Sequence, residues 1–257
     1  MIDIIKLFSF FIRNSAGSIT ASLLITGADF DSIPSSAVAI AEEWDIYNRK
    51  LGLAGVWGTM LRQWLDMVLP KDVEEDSLRN LHIALTPTLK PSKLVSGIIE
   101  RSDLIDAIMA SCHVPVFLDG RPFTEYKGEQ VVDGSFWYFV TKNRFSGLPM
   151  LDGTSRDGIY WVDYVDDEDF LQSISGNFLE LIKPDDMYNM IEAGYNFMKR
   201  EHSKGRLPMP KRSLSYSRSS LLSSRTLRSI PTTIGYNLAS SLYSIAPMMT
   251  SGRIIRT

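Results

Sequence analysis

Phe10-Phe11-Ile12-Arg13-Asn14-Ser15-Ala16-Gly17-Ser18-Ile19 constrains the fold of this chain more than any other stretch. An apolar strand-like run ends in small polar residues, and an apolar helical run begins at once. A strand handed directly to a helix is the joint of an α/β domain. The turn between them is tight, so Ala16 and Gly17 keep bulk away and let the helix approach the strand. Ser15 then stands at the amino end of the helix, where unbonded N–H groups favour developing negative charge. This is how a nucleophile elbow lifts a serine hydroxyl above a sheet edge. The same triplet is also an ordinary helix N-cap, so the remainder of the chain has to decide between the two.

A chain of 257 residues, 44% apolar and 22% charged, can bury the core of one large α/β domain. One cysteine, Cys112, excludes an intramolecular disulfide framework and fits a reducing compartment. The histidines, His82, His113 and His202, lie far apart and show no metal-site spacing. No run reaches the roughly 20 apolar residues of a membrane span. Met1 to Phe11 reads as a buried strand rather than a leader, because its apolar core is short and Asp3 stands where positive charge is expected.

The net charge of −3 conceals an asymmetry. Residues 199–257 carry eleven Lys/Arg and one acid, Glu201, so the rest of the chain is acidic. A basic tail on an acidic body suits an anionic surface such as lipid headgroups, or a solvated tail. The acidic run Asp166 to Asp169 lacks calcium-loop spacing and reads as a solvated loop.

Along the chain, Ile4–Ile12 reads as a strand and Ile19–Ile25 as a helix. Further helices are expected over about 36–50 and 56–68, the latter with Met60, Leu61, Trp64, Leu65 and Val68 at helical spacing. Trp57, Met60 and Trp64 are expected in the core. Asn80–Thr86 reads as a strand, with His82 as a satisfied histidine within it. Ser102 would cap a helix over 103–112, Val114–Leu118 would be extended, and Gly128–Val132 would be a strand ending at Asp133-Gly134. Gly158–Tyr164 is a further strand, and Pro184-Asp185-Asp186 opens a helix to about His202. The segment from Ser213 to Ser229 is rich in serine and arginine. Ile230–Ile255 is amphipathic in places and could lie on a membrane surface or pack on the body.

The partner expected for Ser15 is Asp133, in Val131-Val132-Asp133-Gly134-Ser135. A serine hydroxyl needs a base to take its proton, and a carboxylate at a strand end can serve without a histidine. Asp-Gly alone is also a common turn. His113 is a less favoured base for a three-residue arrangement.

Taken together, these residues resemble the patatin-like phospholipase family of acyl hydrolases. Ser15 matches the nucleophile of its Gly-x-Ser-x-Gly motif, with Arg13 in place of the first glycine. Asp133 matches the base of its Asp-Gly-Gly or Asp-Gly-Ala motif. Ala110-Ser111-Cys112-His113-Val114-Pro115 is similar to its Ala-Ser-x-x-x-Pro segment. The resemblance covers roughly residues 4–165. It implies a three-layer α/β/α sandwich with a mainly parallel central sheet, and two regions: residues 1–202 as the acyl hydrolase domain and 203–257 as a basic Ser/Arg-rich tail.

By the same resemblance, Ser15 and Asp133 form a catalytic dyad, with Gly17 and Gly134 as the elbow and turn glycines. The expected activity is hydrolysis of acylglycerols or glycerophospholipids through an acyl-enzyme, as in a phospholipase A or triacylglycerol lipase. The implied setting is cytoplasmic, on a membrane or lipid-droplet surface. Neither cofactor nor metal nor nucleic acid is called for. The family's oxyanion donors come from a glycine-rich loop before the serine. None of the fourteen residues ahead of Ser15 is glycine, which makes a weakly active or inactive lipid-binding protein the alternative expectation.

Overall fold

The computed structural model describes residues 11–13, 15–79, 81–88, 90–136 and 184–204. The expected strand over 4–10, the strand 158–164, the acidic run 166–169 and the tail beyond 204 lie outside them. In chain order the elements are β1 (Phe11–Arg13), α1 (Ala16–Ile25), α2 (Ile33–Glu43), a 3-10 turn (Ile46–Asn48), α3 (Trp57–Val68) and α4 (Glu75–Leu78). There follow β2 (Leu81–Pro87), β3 (Lys93–Val95), α5 (Arg101–Ser111), β4 (Thr124–Tyr126), β5 (Glu129–Asp133) and α6 (Pro184–Ser203).

β2 is the axis of the domain. All seven of its residues are buried, so its run of Leu, Ile and Ala is that of a strand covered on both faces. It pairs with β1 in parallel, Arg13 opposite Ile83, and with β5 antiparallel, Leu85 opposite Asp133. The sheet runs β1-β2-β5-β4, with β3 antiparallel on β2. The expected α/β class is therefore present, but among the described residues only the β1–β2 pair is parallel. The departure from a mainly parallel sheet has a local cause. Lys127 (φ 50°) and Gly128 (φ 78°) form a two-residue turn with both residues left-handed, the geometry that closes a tight hairpin. It folds β4 back on β5, and β5 meets β2 running the opposite way.

α1 is buried at every position but Gly17. Its hydroxyls are absorbed by the helix itself: Ser18 Oγ donates to the Ser15 carbonyl at 2.6 Å and Ser22 Oγ to that of Ser18 at 2.7 Å. α1 and α5 pack on the sheet and on each other; α3 packs on α5, and α2 on α3. The helical spacing expected for α3 holds, with Trp57, Met60, Leu61, Trp64 and Leu65 all buried. Burial of each such side chain contributes roughly 1.5–3 kcal/mol. Arg101, at the start of α5, donates to the carbonyls of Pro70 (2.9 Å) and Asp66 (2.9 Å) and pairs with the Asp66 carboxylate (3.0 Å). It thus satisfies carbonyls at the end of α3 that a helix cannot satisfy internally.

Three boundaries differ from the sequence reading. α2 ends at Glu43 rather than near 50, because Asp45 turns left-handed (φ 49°) and breaks the helix. α5 is capped by the extended Glu100, not Ser102, since the helix already begins with the Arg101 that reaches α3. Val114–Leu118 is a series of turns rather than an extended segment. Leu118 N–H bonds the Val114 carbonyl and Gly120 N–H that of Val116, with Val116 left-handed at φ 67°.

Candidate active site

Ser15 follows β1 and precedes α1, with φ 48° and ψ −126°. An L-residue pays roughly 1–3 kcal/mol to stay in such a conformation, so surrounding bonds must hold it. The Ser15 carbonyl accepts the Ser18 N–H (2.8 Å) and the Ser18 hydroxyl (2.6 Å), and the Ser15 N–H donates to Ser111 Oγ at 3.0 Å. The side chain makes no capping bond to α1. An ordinary N-cap is extended and uses its side chain on the helix, so the cap reading fails on both counts. The geometry is that of an elbow.

The register explains how two residues 118 positions apart come together. β1 and β5 flank β2 on opposite sides, with Arg13 opposite Ile83 and Asp133 opposite Leu85. Two residues past Arg13, the chain is level with Leu85 as it turns into α1. Ser15 and Asp133 therefore face each other across one strand. The Ser15 side chain favours the charged form of the Asp133 carboxyl group.

Asp133 is 1% exposed and Ser15 4%. Asp133 Oδ1 accepts the Ser135 N–H at 2.6 Å, while Oδ2 has no hydrogen-bond partner. Among the described residues no Lys, Arg or His bonds this carboxyl group. Burial pushes its pKa up to about 6, against the smaller opposing pull of Ser135 and Ser15. A carboxylate poised there is a better proton acceptor at neutral pH than an ordinary one. Ala16 and Gly17 supply the first N–H groups of α1, which helix geometry leaves without intrahelical acceptors beside the serine.

His113 does not join Ser15 and Asp133. Its Nε2 bonds the Arg121 carbonyl at 3.2 Å, and its buried Nδ1 has no partner. Burial holds its pKa below the usual imidazole value. What His113 gives the site is its main chain, whose carbonyl accepts the Asp133 N–H at 2.8 Å. Gly134, the expected turn glycine, donates its N–H to the Ser111 carbonyl at 3.3 Å. Gly17 lies in the first turn of α1. His82 lies in β2, where it is buried. Among the described residues no group of three His, Cys, Asp or Glu could hold a metal ion.

Sequence reasoning passed over Ser111 as an individual residue. Its signal was a polar residue in the last turn of an otherwise apolar helical face, just before His113-Val114-Pro115.

The chain is an α/β domain that holds a strained serine at a strand-to-helix elbow, one strand away from a buried strand-end carboxyl group. A family model for patatin-like phospholipases matches residues 3–141, more than half of the chain, and the chain belongs to that family. The omega-hydroxyceramide transacylase of Homo sapiens is 34% identical over 128 residues, covering 49% of this chain and 24% of its own. The omega-hydroxyceramide transacylase of Mus musculus is 32% identical over 128 residues, covering 49% and 21%. Patatin-like phospholipase domain-containing protein 4 of Homo sapiens is 32% identical over 125 residues, covering 47% and 48%. The chain thus spans less than half the length of each of these curated relatives. No solved structure matches.

Proposed function

We propose that this protein is a serine acyl hydrolase acting on carboxylic esters of acylglycerols or glycerophospholipids. The observation that carries the reading is the strained, buried Ser15 elbow set one strand away from the buried Asp133 carboxyl group. Asp133, ionised, takes the Ser15 proton as Oγ attacks the ester carbonyl. The C–O bond to the leaving alcohol breaks, the alcohol leaves with that proton, and the acyl group remains on Ser15. Asp133 then takes a proton from water, whose oxygen attacks the acyl carbon, and passes that proton to Ser15 Oγ as the acyl–oxygen bond breaks and the carboxylic acid leaves. The N–H groups of Ala16 and Gly17 face the developing oxyanion.

The scaffold we propose is the three-layer patatin-like sandwich, with residues 1–202 as the hydrolase domain and the basic 203–257 as a tail that associates with lipid. The substrate would be met at a membrane or lipid-droplet surface from the cytoplasmic side. Support comes from the exposed Leu51 and Val116. Their loops are tied together by the Gly55 N–H to Phe117 carbonyl bond of 2.8 Å. Among the described residues no helix is long and apolar enough to cross a membrane.

A second reading, acyl transfer to an alcohol, is favoured by the 34% identity to the omega-hydroxyceramide transacylase. It needs only that an alcohol, rather than water, give its proton to Asp133 and its oxygen to the acyl carbon.

A fluorophosphonate probe tests the common core of both. It should label the wild type at Ser15 and spare Ser15→Ala. Equal labelling of the two proteins would remove Ser15 from the mechanism. Lipid binding without labelling or ester turnover would favour a non-catalytic member of the family. Products formed from a mixed phosphatidylcholine and long-chain alcohol emulsion separate hydrolysis from transfer.

A further inference from the structure

We propose that Ser111 is a positioning residue that holds the Ser15 elbow in its reactive conformation; the proposal rests on the hydrolase reading above and deepens it. Ser111 is fully buried in the last turn of α5. Its hydroxyl proton is committed to the Ala84 carbonyl of β2 at 2.9 Å. That commitment turns an oxygen lone pair towards the Ser15 N–H, which it accepts at 3.0 Å. The main chain of the same residue accepts the Gly134 N–H at 3.3 Å, next to the Asp133 N–H bonded by His113. One helix end therefore fixes the backbone on both sides of the dyad.

The arrangement answers a specific need. With φ at 48°, Ser15 has left the conformation in which a helix-capping serine normally rests. Ser18 restrains its carbonyl side. The N–H side is held by Ser111, and an unpaired N–H in so closed a site is costly. Without the Ser111 hydroxyl, the favourable relaxation is an ordinary N-cap: Ser15 becomes extended, and its hydroxyl turns onto the first turn of α1 and away from Asp133. Ser111 touches no reacting atom in this scheme; it acts through the Ser15 backbone.

The test compares Ser111→Ala with Ser22→Ala, which also removes a fully buried hydroxyl but one bonded to the Ser18 carbonyl within α1. Two quantities are read on the full chain: amide hydrogen exchange at Ser15, and the rate and half-saturation concentration of fluorophosphonate inactivation. Ser111→Ala should speed Ser15 exchange about tenfold or more and slow maximal inactivation by a similar factor, at unchanged half-saturation. Ser22→Ala should lower stability and leave both readings as in the wild type. Should Ser111→Ala not fold, Ser111→Cys keeps the volume with a poorer acceptor and should show the faster exchange. Wild-type exchange at Ser15 in either folded Ser111 variant overturns the proposal. A wild type that the probe does not label refutes the hydrolase reading, while amide exchange still decides the role of Ser111.

Discussion

Replacing Asp133 by Asn should abolish turnover and yet stabilise the fold, by an amount that depends on pH. Moving this carboxyl from its ordinary 3.8 to about 6 costs the charged form about 3 kcal/mol, at roughly 1.4 kcal/mol per pH unit. At pH 3 and below the group is protonated both folded and unfolded, and burial carries almost no charge penalty. Between about 4 and 6 the folded protein binds more protons at this site than the unfolded chain, so stability falls as pH rises. Above about 6 the full penalty is in place. Asn is neutral throughout and keeps an oxygen to accept the Ser135 N–H, which Asp133 accepts at 2.6 Å. The stability difference between D133N and wild type should therefore climb by about 3 kcal/mol from pH 3 to pH 8, in favour of the variant. Urea unfolding of both proteins at unit steps across that range measures it directly. A difference that stays flat with pH would refute the reasoning, because it would mean that the native carboxyl titrates like an exposed one.

The same carboxyl should shape the kinetics. On the proposed mechanism Asp133 must be ionised to take the Ser15 proton, so kcat/KM for a soluble p-nitrophenyl ester should rise with pH through about 6. Arg101→Met should destabilise the protein by about 1–3 kcal/mol in urea unfolding, because it strands the Asp66 and Pro70 carbonyls. Val116→Gly should raise stability by up to about 1 kcal/mol, as it relieves a branched side chain at φ 67° that is 62% exposed. A differential scanning calorimetry midpoint below that of the wild type would show that Val116 is held by packing instead.

Much of the site was legible because its chemistry is local. Ser15 and Asp133 each sit in a short segment whose small neighbours, Ala16-Gly17 and Gly134, announce a turn. α3 was equally legible, since its apolar residues repeat at one spacing and Pro70 ends the run. The features missed depend on distant partners. Nothing near Lys127-Gly128 marks β5 as antiparallel to β2; that follows from a hairpin in which a lysine takes a left-handed conformation. The start of α5 was misplaced because Arg101 answers to carbonyls some thirty residues earlier. Ser111 stayed hidden because its worth lies in three segments it joins, not in its neighbours. Val114–Leu118 misled because Pro115 and branched valines suggest extension, whereas backbone bonds coil the loop beside Gly55 and Gly58.

β2 stands alone between the strand that leads into the serine and the strand that carries the carboxylate. Neither half can find the other until that middle segment has inserted, and its pairings with β1 and β5 link residues far apart along the polymer. Such non-local closure is slow. On the proposed mechanism, a nascent or partly unravelled molecule, its central strand not yet seated, would thus be chemically harmless: the proton acceptor would be missing wherever the hydroxyl happened to be. Reactivity would then be a late product of assembly, acquired only when the sheet is whole.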